Sequence, residues 1–202
     1  MRVRRSVETD WTVVIPVKGT AGAKSRLGAS AELAMAIALD TVEAALGAAR
    51  VVVVTAEAAA PSFCALGASV VQDAGGGLNG AVRSGIAAAG EVAVAVLLGD
   101  LPALAAEELA SVLELAEGHP LAMVADADNE GTVLLTALRG HHHTPLFGSG
   151  SRTAHLAAGY VELPVPVDSG LRRDVDTVEQ LRALVPAHVG DRTRAILAAG
   201  RA

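Results

Sequence analysis

Unbroken apolar runs, each followed by a stretch with helical spacing, recur nearly from end to end of this 202-residue chain. The run at 92–98 is VAVAVLL, and that at 51–54 is VVVV. A strand that is apolar on successive residues, rather than on alternate ones, is buried on both faces. Strand and helix patterns in alternation then describe a mostly parallel sheet with helices on either side, an α/β fold in three αβα layers. The length allows one such domain with a large core and is short for two. Hydrophobic residues make up 51% of the chain but aromatics only 2%. The core is therefore built from Ala, Val and Leu, which favours close packing of helix on sheet.

Strands are expected at 11–17, 50–55, 68–72, 92–98, 121–125 and 132–138, with an edge strand at 160–164. Helices are expected from an N-cap at Ser30 to 48, over 57–66, after a glycine-rich loop at 73–79 with Asn79 as cap, and over 107–117. Another opens near Ser151, one follows the capping box Thr177-Val-Glu-Gln180, and a small one follows Gly190. No repeat or linker divides the chain, so residues 1–202 are read as a single domain.

The net charge of −6 argues against a nucleic-acid surface. No apolar run approaches the roughly eighteen residues of a membrane span, and no apolar h-region follows Met1-Arg-Val-Arg-Arg-Ser6. Cys64 is the only cysteine; it excludes an internal disulfide and is expected to be a buried small hydrophobe. A cytoplasmic enzyme is the expectation.

Three distant pieces carry chemistry that makes sense only together. Lys18, Lys24 and Arg26 fall in the loop after the first strand, where α/β folds bind phosphates. The glycines at 19, 22 and 28 match neither the dinucleotide fingerprint nor a Walker A loop. The 92–98 strand ends, one glycine later, in Asp100, a carboxylate expected to be half-buried and in need of a partner or a metal. Asp174 and Asp176 are two residues apart and leave an extended segment on the same face. Cations for a polyphosphate and three carboxylates for a divalent metal suit phosphoryl or nucleotidyl transfer. Each piece also has a plainer reading: a solvated loop for the cations, a turn former for Asp100, a helix cap for Asp176.

Gly76, Gly77, Leu78 and Asn79 lie in a loop whose backbone could approach a flat base, although a plain turn is the simpler reading. Phe147-Gly-Ser-Gly-Ser151, opening a short helix, offers free amides to an anion around Gly148 and Ser151. Thr132 at a strand start could add a hydroxyl. His141, His142 and His143 lack metal-ligand spacing and are read as a solvated loop.

In order and spacing, these segments resemble the guanylyltransferases that activate a small phosphorylated three-carbon acid in the biosynthesis of coenzyme F420. The resemblance is carried by Ile15-Pro-Val-Lys18, Ala23-Lys-Ser-Arg-Leu27, Val51-Val-Val-Val-Thr55, Gly76-Gly-Leu-Asn79 and Asp100-Leu-Pro102. It continues through Gly131-Thr132, Phe147-Gly-Ser-Gly-Ser151 and Gly170-Leu-Arg-Arg-Asp-Val-Asp-Thr177, spanning about 11–185. One departure is Leu-Gly before Asp100, where Pro-Ala is expected.

The resemblance implies a nucleotide-diphospho-sugar-transferase-like (Rossmann-like) domain, similar to the molybdopterin-guanylyltransferases. It also implies GTP as donor, with guanine near 76–79 and Lys18, Lys24 and Arg26 by the triphosphate or acceptor. Asp100, Asp174 and Asp176 would hold Mg²⁺, and Thr132, Gly148 and Ser151 the acceptor. A labile product would pass to a downstream enzyme of the F420 pathway. The acceptor would be phosphoenolpyruvate, 2-phospho-L-lactate or 3-phospho-D-glycerate, and the actinobacterial look of the composition tilts the expectation toward the first. A sugar-nucleotide synthase, a non-catalytic GTP-binding regulator and a dehydrogenase are the competing classes. The missing glycine fingerprint disfavours the last.

Overall fold

A computed structural model of the chain describes residues 10–17, 31–184 and 189–200. Within them seven strands form one sheet in the order β3-β2-β1-β4-β6-β5-β7. β1 (Trp11–Pro16), β2 (Arg50–Thr55), β3 (Ser69–Gln72) and β4 (Ala93–Leu97) run parallel. β5 (Leu121–Ala125) is joined to β6 (Thr132–Ala137) by a turn at 126–131 that is too short for a crossover helix, so β6 lies antiparallel between β4 and β5. The two-residue β7 (Val161–Glu162) is the whole of the edge strand expected at 160–164 and runs parallel to β5.

The helices are α1 (Ala31–Leu46), α2 (Ala60–Leu66), α3 (Gly77–Ala89), α4 (Ala106–Ala116), α5 (Ser151–Ala157), α6 (Val178–Leu184) and α7 (Asp191–Ala198). Alternate residues of β1 serve opposite layers. Trp11, Val13 and Ile15 join Val42 of α1, Phe63 of α2 and Leu109 of α4, whereas Val14 joins Val82 of α3. Val13 and Val14 are both 0% exposed, which is the two-sided burial the apolar runs require. Helix and sheet come so close that a Cβ on Gly85 of α3 would collide with the side chains of Val14 and Val54.

Leu33 and Ile37 of α1 pack with Val175, Leu181 of α6 and Ile196 of α7 in a third cluster. Asp40 of α1 caps α7 from outside, accepting from the backbone of Thr193 at 2.8 Å and pairing with the Arg192 guanidinium at 3.2 Å. The capping box forms as expected: Gln180 N donates to Thr177 Oγ1 at 3.1 Å, and Thr177 N to Gln180 Oε1 at 2.9 Å.

The expected boundaries move by a residue or two at most ends, and the Ser30 cap lies outside the described residues. Three differences are larger. A 3-10 turn, Glu57–Ala59, precedes α2. Asn79 lies in the first turn of α3 and does not cap it; the cap position is Gly76, at φ 88°. Cys64 is exposed, because α2 buries Phe63 and turns Cys64 outward. Among the described residues no helix is long and apolar enough to cross a membrane.

Candidate active site

Because β6 runs against β4, its first residue lies beside the carboxyl end of β4. Leu97 pairs with Leu134, and Leu98 N donates to Val133 O at 3.0 Å. Thr132, Asp100 beyond β4 and Asp126 beyond β5 therefore share one edge of the sheet. That is the edge where the loops of open α/β sheets bind ligands.

The late aspartates reach the same edge. Val175 N donates to Asp100 O at 3.1 Å, so the 174–176 segment runs against the end of β4. Val175 is 1% exposed and fills the third core cluster. Asp174, half-buried, and Asp176, exposed, leave the chain on its other side. The Asp174 carboxyl is pushed up to about 6, first by burial, then by the charges of Asp126, Asp176 and Asp128. Partial burial among like charges is a state that a bound cation relieves.

Asp126 and Asp128 were not singled out in the sequence, although Asp126 follows an apolar strand just as Asp100 does. The Asp126 carboxylate closes the β5–β6 turn, accepting from Glu130 N at 3.0 Å and Gly131 N at 2.6 Å. Arg172 is buried, and its guanidinium donates to Asp126 O at 2.6 Å, Val165 O at 2.9 Å and Asn129 Oδ1 at 2.7 Å. It fastens the 126–129 turn to the segment that carries Asp174.

Among the described residues no three His, Cys, Asp or Glu side chains already form a metal cage. Mg²⁺ seldom asks for one, since it takes one or two carboxylates and completes its shell with water and substrate phosphates. An acid-rich corner at the ligand-binding edge fits that donor set.

Gly75, Gly76 and Gly77 hold φ values of 89°, 88° and 70°, a backbone path closed to most side chains. Asp73 Oδ1 accepts from Gly75 N at 2.9 Å and steadies the turn. Leu78 is half-buried behind it. Both ends of the Asn79 amide meet the backbone of Phe147: Nδ2 donates to its O at 2.9 Å and Oδ1 accepts from its N at 2.9 Å. Asn79 thus ties the glycine loop to the 144–150 loop across the site.

On that second loop Gly148 and Gly150 hold φ values of 144° and 69°. The amides at the start of α5 are less free than the sequence suggests. Ser151 N donates to Gly148 O at 3.1 Å and Arg152 N to Glu130 O at 3.2 Å. Thr132 and Ser151 are 3% and 2% exposed. Thr132 Oγ1 lies 2.9 Å from His155 Nδ1, and the other ring nitrogen, Nε2, accepts from Leu146 N at 2.9 Å. Burial, with the charge of His143 adding, lowers the His155 pKa to about 4. In the sequence His155 carries one signal only, its place a single helical turn after Ser151.

The histidine run divides. His141 and His142 are exposed as expected, but His143 is half-buried and hydrogen-bonds Val94 O through Nε2 at 3.0 Å and the Tyr160 hydroxyl through Nδ1 at 3.2 Å. With Arg83 and Arg139 the run lines a cavity of about 560 Å³. That cavity opens beside the start of β4, at the other end of the sheet from Asp100. Lys18, Lys24 and Arg26 lie outside the described residues.

The fold recurs in solved structures. A Desulfovibrio desulfuricans protein described as a nucleotide-diphospho-sugar transferase superposes with a TM-score of 0.72 at 17% identity, over 95% of each chain. A Mycobacterium tuberculosis protein solved in complex with manganese does so with a TM-score of 0.57 at 19% identity, over 89% of this chain and all of its own. Two proteins named phosphoenolpyruvate guanylyltransferase, from Streptomyces scabiei and Streptomyces coelicolor, are each 47% identical to this chain, over 93% of it and 96% of their own length. Residues 11–196 match the model of the family described as guanylyl transferase, CofC-like. With both the family pattern and close relatives covering nearly the whole chain, the protein belongs to the CofC-like guanylyl transferase family.

Proposed function

We propose that this chain transfers GMP from GTP to the phosphate of phosphoenolpyruvate, forming enolpyruvoyl-2-diphospho-5'-guanosine and pyrophosphate in coenzyme F420 biosynthesis. The observation that carries the site is the hydrogen bond from Val175 N to Asp100 O, 3.1 Å long. It gathers Asp100, Asp174 and Asp176 at the sheet edge that also holds Thr132. The names of the 47% identical relatives support phosphoenolpyruvate as the acceptor.

In this reading Thr132, Gly148 and Ser151 hold the acid, and the backbone at Gly76, Gly77, Leu78 and Asn79 lies near guanine. Lys18, Lys24 and Arg26 meet the triphosphate or the acceptor. Asp100, Asp174 and Asp176 hold Mg²⁺, which when bound neutralises triphosphate charge and steadies the departing pyrophosphate. An acceptor phosphate oxygen attacks the α-phosphorus of GTP. The bond from that phosphorus to the β-phosphate bridge oxygen breaks, and its electron pair leaves with pyrophosphate. The attacking oxygen is already anionic, so the protein needs no general base; its residues bind, align and neutralise.

The single sheet of the described residues supports reading 1–202 as one nucleotidyltransferase domain, and a reaction that uses GTP and phosphoenolpyruvate favours the cytoplasm as its place. A product that joins an enol phosphate to GMP through a phosphoanhydride is labile, which favours transfer to a downstream enzyme of the pathway. The test is pyrophosphate release from GTP and Mg²⁺ with phosphoenolpyruvate, 2-phospho-L-lactate and 3-phospho-D-glycerate in parallel, with mass analysis of each product and a chelator control. Release with phosphoenolpyruvate, abolished by EDTA, is expected. Release with only another acid renames the acceptor, and release with none overturns the reading.

A further inference from the structure

His155 is 0% exposed and has both ring nitrogens engaged. A backbone N–H can only donate, so the bond from Leu146 N leaves Nε2 with a lone pair and no proton. A neutral imidazole carries one N–H, which must then sit on Nδ1. Nδ1–H therefore donates to Thr132 Oγ1, 2.9 Å away, with the Ser151 carbonyl oxygen one helical turn back as a second acceptor. A threonine hydroxyl has a single proton. With its oxygen accepting from His155, that proton is turned away from the ring, and Thr132 Oγ1 makes no other hydrogen bond among the described residues.

The ring has little freedom to undo this. Phe147 and Tyr160 meet it edge-on, at centroid distances of 5.2 and 5.5 Å and interplanar angles of 70° and 69°. Burial holds it neutral, with a pKa of about 4, so Nε2 stays an acceptor at neutral pH. One buried side chain thus links the start of β6, helix α5 and the 144–150 loop, all parts of the acceptor wall.

We propose that His155 is a positioning residue for the acceptor acid, holding the Thr132 hydroxyl as a donor aimed at an anionic oxygen of that acid. The inference rests on the reading of Thr132 and Ser151 as acceptor-binding residues. A hydroxyl preset in this way selects carboxylate or phosphate oxygens and loses no rotor freedom when the acid binds.

His155→Gln keeps an amide oxygen near the place of Nε2 for Leu146 N but removes the donor to Thr132. His155→Asn keeps an amide N–H near the place of Nδ1. Initial rates are measured with phosphoenolpyruvate varied at saturating GTP, then with GTP varied. Binding of phosphoenolpyruvate in the presence of GTP and EDTA, which blocks turnover, is followed by calorimetry. His155→Gln is expected to raise the phosphoenolpyruvate KM and Kd about tenfold, the scale of one lost hydrogen bond, and to leave the GTP KM unchanged. His155→Asn recovers most of the loss. In the Thr132→Val background His155→Gln adds nothing further, because the two changes remove one interaction.

Equal rises in both KM values, no recovery in His155→Asn, or additive losses in the double variant overturn the assignment and leave His155 a packing residue. If the wild-type protein binds phosphoenolpyruvate but releases no pyrophosphate, the proposed reaction fails while the Kd comparison still decides the role of His155. If it binds no phosphoenolpyruvate, the acceptor reading and this inference both fall.

Discussion

Asp40, buried in the middle of α1, and Asp174, half-buried at the end of β4, are both carboxylates drawn partly or wholly out of water, yet their surroundings are opposite. Around Asp40 stand donors: the Thr193 and Arg192 amides that open α7, and the Arg192 guanidinium. Around Asp174 stand Asp126, Asp128 and Asp176, and its carboxyl is pushed up to about 6. Both arrangements are made by contacts distant in sequence, but they do different things. At Asp40 the carboxylate is satisfied within the fold and docks the last helix. At Asp174 the fold concentrates negative charge at the sheet edge, charge that a divalent cation would relieve. A buried carboxylate is structural or functional according to its neighbours.

The comparison breaks most visibly through Asp174. Asp174→Asn is expected to cut pyrophosphate release by about 10²–10³-fold, the scale seen when a group that stabilises transition-state charge is removed. Its thermal midpoint without added metal holds or rises, because a like-charge repulsion is gone. Turnover near the wild-type rate would make Asp174 a spectator. Asp40→Ala should do the reverse. It removes the acceptor at the start of α7 and costs about 1–3 kcal/mol, seen as a lower thermal midpoint at about 2–4 °C per kcal/mol for a chain of this size. Its kcat, measured where the protein is folded, is expected to be unchanged; a selective fall in kcat would join α7 to the site.

A smaller effect contrasts the acid corner with two neutral histidines. His143 and His155 are held near 4, mainly by burial, against about 6.5 in an unfolded chain. Their contribution to stability is complete above pH 6.5 and is lost as pH falls toward 4, since the unfolded chain binds protons first. Thermal midpoints should therefore drop by a few degrees across that window. His155→Asn should flatten the drop, and a flat wild-type profile would count against neutral, buried rings.

Much of this was legible before any coordinates. Two-sided burial makes β4 and the centre of β2 apolar without a break, so the sheet could be read directly. Asp100 at a strand end, the Asp174–Asp176 spacing and the Thr177–Gln180 box have local signatures that survive in the fold. Other features have none. Asn79 finds Phe147 across 68 positions. Asp126 joins the acid corner only because β6 folds back antiparallel. Cys64 is exposed because of which way α2 faces, not because of its own chemistry.

By itself, then, the sequence determined the layered α/β architecture, the edge at which chemistry gathers and the residue types brought to it. These follow from periodicity and from chemistry carried by single short segments. Only the tertiary structure decided which carboxylate is capped and which is crowded. It also decided that Arg172 is taken up by carbonyl oxygens and which nitrogen of His155 bears the proton. Each of those depends on donors and charges supplied by chain far away, and a hydrogen bond or a pKa is a property of the neighbourhood rather than of the residue.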